Sequence, residues 1–92
     1  MAVSSHHTVG RGDVLWRATL DGVLIRVPGA DEVVQLGGTG AAVWAELATP
    51  RTFGDLCAAL AESHDAAAAR IALDLQPVIA DLVERAVVRV DG

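Results

Sequence analysis

The 92-residue chain contains no lysine and no tyrosine, a single cysteine and a single phenylalanine. All seven basic residues are arginines, spread over positions 11, 17, 26, 51, 70, 85 and 89, against twelve acidic residues, for a net charge of −5. Binding to a phosphate backbone draws its affinity from clustered cations that neutralise several phosphates at once. This dispersed and outnumbered set argues against non-specific nucleic-acid binding, and no nucleic acid is expected as a partner. One cysteine permits no internal disulfide and fits a reducing compartment. No apolar run approaches the ~20 residues of a membrane span, and residues 1–13 lack the apolar core of a signal peptide. The expectation is a cytoplasmic protein with no membrane partner. Also missing are a G-x-S-x-G elbow, a P-loop, a dinucleotide fingerprint and any metal-spaced Cys/His set, so no catalytic residue, metal or cofactor is expected.

Hydrophobic residues make up 52% of the chain, which argues against disorder. Much of that is alanine, so Trp16, Trp44 and Phe53 each carry a large share of the packing. The length suits one small domain. Residues 1–12 are small and polar, and read as a flexible tail ahead of a domain over 13–92. His6 and His7 lie in that tail without further ligands nearby, so they read as solvated.

Three short strand patterns follow, at residues 14–17, 23–27 and 33–36, separated by the turn chemistry of Asp21-Gly22 and Pro28-Gly29. They read as an antiparallel meander. In the third strand Val34 and Leu36 point one way, Val33 and Gln35 the other. After Gly37-Gly38 the period changes to that of a helix running through Ala48, opened by Thr39 or a neighbouring glycine. Thr52-Phe53-Gly54-Asp55 is a capping box that opens a second helix to about Glu62. Its core face includes Cys57, which therefore reads as a packed thiol. His64 reads as an exposed connector. Asp65 is a candidate N-cap for a last helix over residues 66–86, where Pro77 should produce a kink or restart. Ile71, Leu75, Val78, Ile79, Leu82, Val83 and Ala86 fall within an arc of roughly 140° and form its core face. Leu73, Pro77 and Ala80 form a narrower strip opposite. Residues 87–90 offer a closing strand.

The pattern is α+β, a three-stranded meander followed by three helices, and suggests a winged helix-turn-helix. A DNA-reading version would need a recognition helix rich in Arg, Lys, Asn or Gln, whereas the second helix is acidic and alanine-rich. A short open meander leaves an edge whose unpaired N–H and C=O groups suit an incoming peptide. With the third strand as that edge, the last helix would wall the groove, and replacing Val34 by Pro is expected to remove an edge N–H.

Several pieces together resemble the PqqD-like family of RiPP precursor-peptide recognition elements. They are V-L-W-R (14–17), D-G-V-L-I-R-V-P (21–28), V-V-Q-L (33–36), T-G-A-A-V-W-A-E-L (39–47), P-R-T-F-G-D-L (50–56) and D-L-V-E-R-A-V-V (81–88). The resemblance implies a non-enzymatic winged helix-turn-helix module. It would bind the leader of a ribosomally made precursor as an added strand and present it to a separate maturation enzyme, a radical-SAM protein or a lasso-type protease and cyclase. Carried over by position, Val33, Val34, Gln35 and Leu36 would be the docking edge, and Leu73, Gln76, Pro77 and Ala80 the helical wall. Gly37 stands where the family usually has Asn, Ala48-Thr49 where it has Asp-Gly, and Ala86 where it has Gly. The last bears on how the final helix is capped. The competing readings are a winged-helix DNA-binding regulator and a dimerising accessory domain, swapped through Gly37-Gly38. The chain would act as a monomer or a homodimer.

Overall fold

A computed structural model describes residues 3–29 and 33–91. The elements run β1 (Thr8–Arg11), β2 (Leu15–Thr19), β3 (Gly22–Arg26), β4 (Val33–Leu36), α1 (Gly38–Glu46), β5 (Arg51–Thr52), α2 (Phe53–Ser63), α3 (Ala68–Glu84) and β6 (Val88–Asp91). Among the described residues, no helix is long and apolar enough to cross a membrane.

The expected meander is the antiparallel sheet β2-β3-β4. Thr19 pairs with Gly22 across the two-residue turn Leu20-Asp21. Gly22 has φ +156, and a Cβ there would lie 1.9 Å from the Leu36 carbonyl oxygen, so only glycine lets β4 approach at this point. Val23, Ile25, Val34 and Leu36 face inward and are buried, while Leu24, Arg26, Val33 and Gln35 face out.

A second antiparallel sheet, of order β5-β1-β6, corrects the reading of the first twelve residues as a tail. Thr8–Arg11 is its central strand, and Val3 and Val9 are core residues. Two causes hold this segment. Burying each valine is favourable by roughly 1.5–3 kcal/mol. The segment's carbonyls also satisfy the first donors of α2: Phe53 N–H donates to His7 C=O and Gly54 N–H to Ser5 C=O, each at 2.8 Å. The expected capping box supplies the next, with Asp55 N–H donating to Thr52 Oγ1 at 3.1 Å.

The other helix ends differ in part from expectation. Of the two expected openers of α1 the glycine holds: the N-cap is Gly37 with no side-chain cap and not Thr39, and the helix stops at Glu46 rather than Ala48. The N-cap of α3 is Ala67; Asp65 instead takes a left-handed φ of +51 in the connection. α3 runs through Pro77 without a break. Pro77 is exposed, so the Leu73 carbonyl that loses its helical donor lies on the face open to water. The closing strand forms as β6, preceded by a Schellman motif in which Val87 N–H reaches Leu82 C=O and Ala86 N–H reaches Val83 C=O.

The sheets and helices enclose one core built on Trp44, Ile25, Leu47, Leu56, Leu75 and Ile79. Cys57 belongs to it, and burial pushes its thiol pKa up. Arg11 of β1 joins the two sheets: its guanidinium carbon lies 4.7 Å from the Trp16 ring centre and 4.6 Å from that of Trp44. Its Nε and Nη2 donate to the Trp44 carbonyl.

Candidate functional site

β4 pairs with β3 on one side, and no described strand pairs with its other side. The register shows which of its backbone groups face that open side. Residues that close a two-residue hairpin exchange both hydrogen bonds, and antiparallel pairs then alternate. From the closing pair Thr19 and Gly22, the backbone groups of Gly22, Leu24 and Arg26 turn toward β2, and those of Val23 and Ile25 toward β4. Their partners Leu36 and Val34 therefore bond inward to β3. The close approach of the Leu36 carbonyl to Gly22 fits this alternation. Val33 and Gln35 are left with N–H and C=O groups directed outward. Replacing Val34 by Pro would thus delete an internal rung rather than an edge donor, and Gln35 is the position that tests the edge.

α3 packs on α2 and β6, and β4 packs on β3 and α1. A cleft of about 70 Å³ opens between the helices, lined by Thr39 and Ala42 of α1, Leu60 and His64 at the end of α2, and Ile71, Asp74 and Leu75 of α3. Thr39 lies three residues past the end of β4. His64 is the C-cap of α2, with Nδ1 2.9 Å from the Leu60 carbonyl oxygen.

The four residues expected on the helical wall are not brought together there. Gln76 is turned to the N-terminal segment: Val3 N–H donates to Gln76 Oε1 at 2.9 Å, and Gln76 Nε2 donates to the Val3 carbonyl. Leu73 is 72% exposed and Pro77 is also exposed, while Ala80 is half-buried. At 100° per residue, Leu73, Pro77 and Ala80 centre roughly 150° or more around α3 from the middle of the Leu75, Ile79 and Leu82 face, and the cleft-lining Ile71 and Asp74 lie on its other flank. Apolar periodicity marked Ile71 and Leu75 as core, but it carried no signal that Asp74 sits at a cleft rim. Among the described residues, no group of three or more His, Cys, Asp or Glu could hold a metal ion.

The sequence model of the family described as coenzyme PQQ synthesis protein D (PqqD) matches residues 22–88. No curated protein matches the chain. Among solved structures, the PqqD truncation of Methylobacterium extorquens PqqCD superposes with a TM-score of 0.71 at 22% identity, over 96% of this chain and 95% of that one. That protein is described as a functional, stand-alone recognition element for ribosomally synthesised and post-translationally modified peptides. At this identity the likeness shows a shared fold, α+β with antiparallel strands and three helices. β1 and β2 both precede the family match.

Proposed function

Since the chain belongs to the PqqD family of peptide recognition elements, we propose that it is a non-catalytic module that binds the leader of a ribosomally made precursor peptide. The leader adds as a strand to the open side of β4 and is presented to a separate maturation enzyme, a radical-SAM protein or a lasso-type protease and cyclase. In this reading the β2–β3 hairpin and the three helices form a winged helix-turn-helix put to peptide binding. The observation that carries it is the unpaired side of β4, where the Val33 and Gln35 backbones offer donors and acceptors to an incoming strand.

Val33, Val34, Gln35 and Leu36 form the docking edge. Val33 and Gln35 supply the outward bonds, while Val34 and Leu36 hold the strand to β3 and the core. Of the four helix positions implied by resemblance, Gln76 is engaged by Val3, and Leu73, Pro77 and Ala80 stand clear of the cleft. Ile71 and Asp74 are the better wall, with Thr39 and Ala42 opposite. The test is titration of a leader peptide encoded by a short neighbouring reading frame into the 15N-labelled chain, followed by amide resonances and by calorimetry. Saturable binding that displaces the amide resonances of Val33 and Gln35 supports the reading; binding that leaves β4 untouched contradicts it.

A further inference from the structure

In the sheet β2-β3-β4, strands β3 and β4 bury one face against α1, and the other face of the sheet is bare. The bare face has a checkerboard order fixed by the register. Leu15, Arg26 and Val33 form one row across the strands, and Arg17, Leu24 and Gln35 the next. Arg17 and Arg26 are therefore diagonal neighbours, and Leu15 and Leu24 occupy the crossing diagonal. Leu15 is 66% and Val33 60% exposed. Leu15, Arg17, Leu24, Arg26 and Val33 line an open depression of about 440 Å³.

The charge of this face is opposite to that of the molecule. The chain carries −5 overall, yet none of the six side chains named above is acidic. Among the described residues neither Arg17 nor Arg26 makes an ion pair, whereas Arg51, Arg70 and Arg85 pair with Glu46, Asp74 and Asp81. Two unpaired guanidiniums set among leucines are complementary to a segment that alternates carboxylates with apolar residues.

We infer that the bare face of β2-β3-β4 docks an acidic amphipathic helix of a partner protein, independently of peptide binding at the β4 edge. Geometry favours a single helix. Three strands spaced about 4.8 Å apart make a face about 10 Å wide, the diameter of one helix with its side chains. Diagonal cross-strand neighbours lie about 7–8 Å apart at the backbone. Glutamates one turn apart on a helix are about 5–6 Å apart, so both can reach the two guanidiniums while flanking leucines cover Leu15, Leu24 and Val33. A second copy meeting this face with its own would set arginine against arginine, which disfavours self-association here.

The test uses two capped 18-residue helical peptides of the same apolar pattern, one with Glu and one with Lys at the paired i, i+4 positions, titrated into the 15N-labelled full chain. The expected result is that the Glu peptide shifts amides of β2 and β3 and binds at least tenfold more tightly than the Lys peptide. The exposed double variant Arg17→Glu/Arg26→Glu, with its dispersed spectrum confirming the fold, should reverse that preference. Equal affinity for the two peptides, absence of binding at millimolar concentration, or shifts centred on β4 and α3 would overturn the inference. So would binding to vesicles containing anionic phosphatidylglycerol with no preference between the peptides. Loss of leader binding without any change in this preference would bear on the β4 reading alone.

Discussion

Gln76 grips the backbone of Val3 by both of its polar groups, accepting from the N–H through Oε1 and donating to the carbonyl through Nε2. A side-chain amide here does what a neighbouring strand would do, and it ties α3 to the segment that caps α2. Gln76→Ala should therefore cost about 1–3 kcal/mol in urea denaturation, since two hydrogen bonds of about 0.5–1.5 kcal/mol net are lost. Amide exchange at Phe53 and Gly54 should rise, because their acceptors on His7 and Ser5 are no longer held in place. A free tail would give neither effect.

Ala86 adopts φ +61 at the position after the α3 C-cap. The two Schellman bonds require a left-handed residue there. An L-residue in that conformation costs about 1–2 kcal/mol, a strain that glycine does not carry. Ala86→Gly is expected to stabilise the protein by about 1 kcal/mol, which raises Tm by about 4–8 °C for a domain of this size. Ala86 thus holds a backbone conformation that suits glycine.

Arg11 packs against the rings of both Trp16 and Trp44 and donates twice to the Trp44 carbonyl. Arg11→Met keeps much of the packing but removes the charge and both bonds. The expected loss is about 2 kcal/mol, with a change in near-ultraviolet circular dichroism as Trp16 loosens from its edge-on contact with Trp44. Arg11→Lys should restore little of this, because an ammonium lacks the planar fork that donates twice to the Trp44 carbonyl.

Burial raises the Cys57 pKa. The folded thiol holds its proton more tightly than the unfolded one, so its contribution is fully present below the ordinary thiol range and is lost as pH rises through and beyond it. The wild-type urea midpoint should fall more steeply between neutral and alkaline pH than that of Cys57→Ala. The native thiol should also react with disulfide reagents far more slowly than the denatured one.

The meander and α2 were legible because their signals are local. Val34 and Leu36 alternate with Val33 and Gln35, and Thr52 announces its helix three residues ahead of the amide it caps. β1 was not legible. Its T-V-G-R has one large apolar residue, and its partners Arg51, Thr52 and Val88–Asp91 come from the middle and end of the chain. The same distance hid Gln76, whose polar side chain is spent on Val3 rather than on a groove. The edge itself could be guessed from the strand count, but which residues face outward depends on register. Register is set by the Thr19 and Gly22 closure together with the Leu36 contact, and a shift of one residue would exchange Val34 and Gln35.

Leader-peptide affinity in two proline variants tests the central claim most directly. Gln35→Pro removes an outward N–H from β4, and Ala18→Pro removes the equivalent group from β2, the opposite edge of the same sheet. The account predicts at least a tenfold loss of affinity for Gln35→Pro, about 1.4 kcal/mol, with Ala18→Pro binding as wild type. Undiminished binding by a folded Gln35→Pro, or an equal loss in both variants, would contradict it.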